Sequence, residues 1–165
     1  IDINPPSNGN FDESFNAGKQ AGMQVIQLSL AWDDIEKEKG KFENPYLKIA
    51  DSYYPTSNTK IALNINPIDT TALRVPAYLK EKKLNDSETI QAFEELLDFV
   101  FSQMPNSEIA SLSIGNEVDI YLGNDAKKWK EFQEFFEQTS NHARQKKPGL
   151  KVGVKATFKG LMERK

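Results

Sequence analysis

Short apolar runs alternate along this chain with longer stretches in which apolar residues recur every three or four positions. The short runs are typical of buried strands, and the longer spacing is typical of helices that pack along one face. The predicted strands are residues 25–30, 60–66, 109–115 and 150–154, with a further strand end at residues 2–6. The predicted helices are residues 11–21, residues 45–54, the segment from Asp86 or Ser87 to Met104, and the segment from Asp125 to Pro148.

Two of these elements carry specific packing expectations. The strand at residues 25–30 is apolar enough to be buried on both faces. In the last helix, Trp129, Phe132 and Phe136 share one side, so we expect this aromatic stripe to pack against the sheet.

Strands that alternate with helices predict an α/β fold with a parallel sheet. Two arrangements compete, an open doubly wound sheet and a (β/α)8 barrel. An open sheet that binds a nucleotide or phosphate needs a glycine-rich turn after its first strand, and residues 4–9 contain no G-x-G-x-x-G. A full barrel takes roughly 250 residues, so 165 residues supply only about five of its eight strand–helix units.

We therefore expect a partial TIM barrel, about strands 1 to 5, in which residues 1–165 form the N-terminal part of a single catalytic barrel. Two long strand edges would otherwise remain unpaired, which is an aggregation hazard. We expect the remainder of the barrel to come from the same gene product or from a second copy.

Composition narrows the classes of function. The chain has 21 basic and 24 acidic residues, well mixed, and no long apolar run, so neither nucleic acid nor a membrane span is expected. It has no cysteine, which excludes disulfides, thiolate metal sites and cysteine nucleophiles. His142 is the only histidine and lies among polar residues, so we expect it on the solvated surface and expect no histidine metal site or Ser-His-Asp triad. No metal or organic cofactor is implied.

Residues 109–119 contain the clearest chemical signal in the chain. An apolar strand ends at Gly115 and is followed at once by Asn116 and Glu117. A carboxylic acid at the carboxyl end of a buried barrel strand stands where barrel enzymes place catalysis, and its surroundings can tune it as a general acid. The alternative is that Glu117 caps the following turn or pairs with a lysine.

Polar residues also follow the other predicted strands, and parallel strands would bring them to one rim. Carboxylates, amides and an indole together suit a sugar, whose hydroxyls need donors and acceptors. The candidates for substrate binding are Trp32, Asn64, Asn66, Asp69, Asn116, Asp119 and Tyr121. Trp32 could equally be a core residue, and Asn64 and Asn66 could equally make structural hydrogen bonds.

Two segments of the chain resemble a known group of enzymes. Residues 31–42, AWDDIEKEKGKF, are similar to the W-x-x-I-E-x-x-x-G-x-F segment that follows the second barrel strand of many glycoside hydrolases. Residues 114–117, IGNE, resemble the G-N-E at the end of their fourth strand. The group is the large clan, of clan A type, of retaining (β/α)8 glycosidases, with the acid/base on strand 4 and the nucleophile on strand 7. The resemblance covers nearly the whole chain as a pattern, and only these two motifs are specific.

The resemblance implies that Glu117 is the general acid/base and that Asn116 hydrogen-bonds the 2-hydroxyl of the sugar. It also implies that Trp32, Asn66 and Asp69 line substrate subsites. A retaining enzyme needs a second carboxylate about 5–5.5 Å from the first, and strand 7 lies outside this chain.

The function that we expect is therefore hydrolysis of a β-linked or similar poly- or oligosaccharide by the intact protein. A non-catalytic carbohydrate-binding barrel or pseudo-enzyme is the alternative. The chain begins with Ile1 rather than Met. A removed export signal or an artificial start would explain this, and we expect a secreted, periplasmic or cell-surface protein.

Overall fold

The computed structural model describes residue 3, residue 7 and residues 9–163. Its elements, in chain order, are α1 Phe11–Gln20, β1 Val25–Ala31, α2 Trp32–Ile35, β2 Glu36–Glu38, β3 Lys41–Phe42, α3 Pro45–Tyr53, β4 Lys60–Asp69, β5 Ala72–Leu73, α4 Ser87–Gln103, β6 Ile109–Asn116, α5 Val118–Leu122, α6 Ala126–Lys146, β7 Val152–Gly153 and α7 Phe158–Glu163. Short 3₁₀ turns lie at Tyr54–Ser57 and Ala77–Leu79.

The main sheet is parallel, as the strand–helix alternation predicts. Its order is β1-β4-β6-β7, and each neighbouring pair in this path runs parallel. The short β5 adds an antiparallel pairing to the end of β4, and β2 with β3 forms a separate hairpin. The α/β prediction is confirmed, although β7 is shorter than the predicted strand at residues 150–154. The strand end predicted at residues 2–6 lies outside the described residues, except for Ile3, which packs against the core.

Local signals in the sequence account for where the helices begin. Asp125 accepts hydrogen bonds from the backbone N–H groups of Lys127 and Lys128 and thereby caps α6. The side chain of Asn44 accepts one from the N–H of Tyr46 and caps α3, where Pro45 occupies the first turn. Asp86 stands at the N-cap of α4 without a side-chain bond to the helix, because its carboxylate accepts from the N–H of Lys83 instead.

The two faces of the sheet differ in polarity. Leu28, Leu63, Leu112 and Val152 are register partners across the four strands and form an apolar row that belongs to the core. The next row, on the opposite face, is Ser29, Asn64, Ser113 and Gly153. Ser29 is exposed, so the prediction that β1 is buried on both faces is wrong for the described chain. One face of the sheet faces the helices, and the other presents small polar residues.

An aromatic chain connects the helices to the strand ends within the core. The ring of Phe93 on α4 makes edge contacts with Trp32 and with Phe135 on α6, each at 5.0 Å between centroids. In α6 the buried aromatic residues are Phe132 and Phe135, at 4% and 0% exposed. Trp129 and Phe136 are partly buried and also pack against the core, so the predicted inward packing of the stripe is confirmed and Phe135 extends it. Trp129 also donates its indole N–H to the carbonyl of Gly123.

His142 joins α6 to α4, contrary to the expectation of a solvated surface residue. Its Nε2 lies 2.8 Å from Asp98 Oδ1, and its side chain is only 18% exposed. Lys146 also donates to Asp98, at 2.7 Å. The polar sequence around His142 gave no sign of this because the carboxylate lies 44 positions away.

Within the described part of the chain, no helix is long and apolar enough to cross a membrane.

Candidate active site at the carboxyl ends of the strands

The carboxyl ends of β4 and β6 meet through paired polar residues. Asp69, the last residue of β4, is the register partner of Asn116, the last residue of β6. The amide nitrogen of Asn116 donates to Asp69 Oδ1 at 2.9 Å. The backbone N–H of Thr70 donates to the carbonyl of Asn116, also at 2.9 Å. Two of the predicted site residues are thus in direct contact.

The backbone is strained at this junction. Glu117 and Thr70 have φ values of +48° and +54°, and Gly115 has +94°. Positive φ is uncommon outside glycine and is an outlier for a β-branched residue such as threonine. Such strain costs about 1–3 kcal/mol per residue and concentrates at functional sites. The positive φ values of Gly115 and Glu117 allow the chain to turn sharply between the end of β6 and the start of α5.

Glu117 is half-buried and accepts a hydrogen bond from a side chain in the turn between β4 and β5. The hydroxyl of Thr70 donates to Glu117 Oε2 at 2.9 Å. Glu117 stands at the N-cap of α5 but makes no side-chain cap bond to that helix. The alternative of a helix-capping glutamate therefore does not describe its contacts. The carboxyl group lies at the rim of the sheet with one oxygen fixed.

Asn64 and Asn66 lie on the polar face of β4, at 0% and 3% exposed. The amide nitrogen of each donates to the hydroxyl of Ser29, at 3.0 and 3.1 Å. Their two carbonyl oxygens are buried and have no hydrogen-bond partner among the described residues. Hydrogen bonds to Ser29 thus engage the amide nitrogen of each residue, and the amide oxygen of each remains as an acceptor.

Trp32 is a core residue in this structure. It is 0% exposed, so its ring presents no face on which a sugar could stack. Of the two possibilities that the sequence left open, the structure supports the core residue, and the predicted subsite role of Trp32 does not fit its burial. Its indole N–H donates to Glu36 Oε2 at 2.8 Å.

Glu36 anchors the loop after β1. It is 1% exposed and also accepts from the N–H of Gly40 and from the hydroxyl of Tyr78, both at 2.8 Å. Burial and the hydrogen bond to the Glu36 carboxylate raise the pKa of Tyr78 well above its ordinary value. The segment W-x-x-I-E-x-x-x-G thus has a structural explanation, because each of its fixed polar groups bonds to another.

Arg74, which directly follows β5, bonds to the short helix α2, a contact that the sequence did not suggest. Its guanidinium bonds Asp33 at 2.9 Å and Asp34 at 3.0 Å. Hydrogen bonding from Lys37, together with the charges of Lys37 and Arg74, outweighs desolvation and lowers the pKa of Asp34. These ion pairs join α2 to the segment that follows β5.

Asp119 and Tyr121 lie on α5 and are engaged outside the Asn116–Glu117 junction. Asp119 accepts from the N–H and the hydroxyl of Thr157, at 2.8 and 2.6 Å. The ring of Tyr121 lies 4.4 Å from the ammonium of Lys128. The structure therefore brings together Asp69, Asn116 and Glu117, and it places Asp119 and Tyr121 in separate contacts.

The arrangement offers a fixed carboxyl group with an amide beside it, which suits proton transfer to a polar ligand. Thr70 completes it and was missed from the sequence, because a threonine in a turn carries no local signal. In residues 3, 7 and 9–163, no group of three or more His, Cys, Asp or Glu side chains is arranged to hold a metal ion.

The solved structures with a similar fold include glycoside hydrolases. A family 39 glycoside hydrolase from Bacteroides cellulosilyticus WH2 superposes with a TM-score of 0.64 at 17% identity, over 92% of this chain and 30% of that one. An exo-beta-1,4-mannosidase from Opitutaceae bacterium strain TAV5 gives a TM-score of 0.72 at 13% identity, over 94% and 31% of the two chains. A GH5_18 protein from Bifidobacterium longum subsp. longum ATCC 55813 gives 0.69 at 11% identity, over 90% and 39%.

These matches define the fold. The chain matches the N-terminal part of (β/α)8-barrel glycoside hydrolases and spans less than half the length of each of these three structures. No protein-family profile matches the sequence, and no curated protein sequence matches it.

Proposed function

We propose that this chain forms the N-terminal part of a retaining glycoside hydrolase, in which Glu117 is the general acid/base. The observation that carries the proposal is the junction of β4 and β6. There, strained backbone holds a half-buried carboxyl group at the strand ends, bonded to Thr70 and next to Asn116. The glycosidase fold of the structural neighbours supports the same reaction class.

The reaction proceeds in two proton transfers at Glu117. Its carboxylic acid protonates the departing glycosidic oxygen while a nucleophilic carboxylate attacks the sugar. The resulting Glu117 carboxylate then takes a proton from the water that releases the sugar from the enzyme. Asn116, whose amide orientation is set by its bond to Asp69, lies beside this carboxyl and would hydrogen-bond a sugar hydroxyl. The substrate is a β-linked or similar poly- or oligosaccharide.

The second carboxylate belongs to the part of the barrel outside this chain. We propose that further residues of the same gene product, or a second copy, complete the barrel. The coverage of only 30–39% of the three neighbouring chains supports this.

The test is Glu117→Gln in the intact protein. Hydrolysis of phenyl glycosides, whose leaving group needs a proton, should fall about 10²- to 10⁴-fold, because general acid–base catalysis contributes that much. Folding and sugar binding should be nearly unchanged, because the amide has the size and shape of the carboxyl group.

Glu108→Gln is the matched control. Glu108 precedes the opposite end of the same strand β6 and pairs with Lys60 on the surface, so its loss should leave turnover unchanged. Unchanged turnover in Glu117→Gln would remove Glu117 from the mechanism. If the intact protein bound sugar but hydrolysed none, the glycosidase proposal would fail and the protein would be a non-catalytic carbohydrate-binding barrel.

A further inference from the structure

Thr70 occupies a turn position that normally requires glycine. Asp69 of β4 pairs with Ala72 of β5, so Thr70 and Thr71 are the two central residues of a tight hairpin turn. Thr70 has φ +54°, whereas Thr71 is not among the residues with positive φ. A two-residue turn with positive φ at its first central residue favours glycine there, because a Cβ atom makes this conformation costly. The requirements of the turn therefore do not explain a threonine.

The side chain and backbone of Thr70 both bond to the end of β6. Its hydroxyl donates to Glu117 Oε2 at 2.9 Å, and its N–H donates to the carbonyl of Asn116 at 2.9 Å. The backbone conformation that is costly for threonine is the one that directs its hydroxyl at Glu117. The strain is thus coupled to one specific contact, 47 positions along the chain.

We propose that Thr70 is a positioning residue that holds the Glu117 carboxyl group in the orientation needed for proton transfer to the glycosidic oxygen; this rests on the proposed function. A hydroxyl is suited to the task because it can donate to Oε2 both in the carboxylate and in the carboxylic acid, where Oε2 is the carbonyl oxygen, which leaves Oε1 to carry the transferred proton. The contact can therefore persist when Glu117 gives up its proton in the first step and recovers one in the second. In this role Thr70 acts only through Glu117.

The test compares good and poor leaving groups in the intact protein. A panel of p-nitrophenyl glycosides identifies the sugar that the protein accepts, and the phenyl and 2,4-dinitrophenyl glycosides of that sugar are then the probes. Phenolate departs poorly and needs a proton, whereas dinitrophenolate departs readily without one. Thr70→Val should lower kcat/KM for the phenyl glycoside about 10- to 100-fold, the worth of a hydrogen bond to a charged group. It should change the value for the dinitrophenyl glycoside less than about twofold.

Three further variants separate positioning from folding. Thr70→Ser keeps the hydroxyl and should restore most of the lost rate. Thr70→Gly relieves the backbone strain and removes the hydroxyl, so it should be at least as stable as the parent protein yet as slow as Thr70→Val. Thr59→Val removes a buried threonine hydroxyl before the opposite end of β4, where Lys19 donates to it, and should not affect the dependence on the leaving group.

The outcomes distinguish this inference from the proposed function. If Glu117→Gln slows the phenyl glycoside and Thr70→Val does not, the positioning role is wrong while the glycosidase stands. An equal loss on both substrates in Thr70→Val would make the role structural and would also overturn the inference. If neither variant affects hydrolysis, the proposed function fails together with it.

Discussion

Lys155 and Gln27 are joined across the polar face of the sheet, with 2.5 Å between Nζ and Oε1. Gln27 lies on β1 and Lys155 just beyond β7, the first and last strands of the order β1-β4-β6-β7. In a flat sheet these strands would be three intervals of about 4.8 Å apart. The direct bond therefore indicates that the sheet curves toward its polar face, as the wall of a barrel does.

Gly115→Ala should destabilise the protein by about 3 kcal/mol or more. Two costs add, because φ is +94° and an added Cβ would lie 2.5 Å from Cγ1 of Val118. Gly22→Ala is the matched control, since φ is +88° there but nothing lies within 4 Å of the added Cβ. It should cost only about 1–2 kcal/mol. Urea unfolding of both variants measures the difference, and equal costs would show that contact with Val118 is unimportant.

Glu36→Ala should be among the most destabilising changes at a polar residue. It would leave the buried indole N–H of Trp32, the N–H of Gly40 and the hydroxyl of Tyr78 without their acceptor. Removing one partner of such a buried charged network costs about 3–5 kcal/mol. Tyr78→Phe deletes one of the three donors and should cost about 1 kcal/mol. Comparable losses in the two variants, measured by urea unfolding, would contradict a central role for the Glu36 carboxylate.

Stability should fall in acid partly through Asp98. Burial alone would raise its pKa, but hydrogen bonds from Lys146 and His142 outweigh burial and hold the pKa of Asp98 below its ordinary value of 3.8. A carboxyl group with a lowered pKa contributes stability above its unfolded-state pKa and loses it as the pH falls through the folded-state pKa. The loss attributable to Asp98 therefore begins as the pH approaches 3.8 and is completed below it.

Variants of this cluster test that acid dependence. Asp98→Asn should lower stability at neutral pH and flatten the decline between neutral and acid pH, as urea unfolding at a series of pH values would measure. Lys146→Met should shift the decline toward higher pH, because it removes a hydrogen bond that lowers the pKa of Asp98. A pH profile identical to that of the parent protein in both variants would show that the link between α4 and α6 does not depend on this charge.

The sequence by itself determined the main strands and helices and the place of the candidate acid, although it did not predict the short elements α2, β2, β3, β5, α5 and α7. Strand and helix periods, the Asp125 cap and the glycine before Asn116 are local signals, and local hydrogen bonding and burial enforce them. They sufficed for the parallel α/β fold and for Glu117 at the end of a strand. The role of Glu117 remains a prediction that mutation must test.

Only the tertiary structure decided which side chains meet. Thr70 reaches Glu117 across 47 positions, and His142 reaches Asp98 across 44. Trp32 stands at a strand end, where the sequence allows either exposure or burial, and its packing against Phe93 buries it. Such contacts depend on the register of strands and the packing of helices that are distant in the chain. The spacing of residues within one segment carries no information about these contacts. They form only when strands and helices that are far apart in the chain pack together.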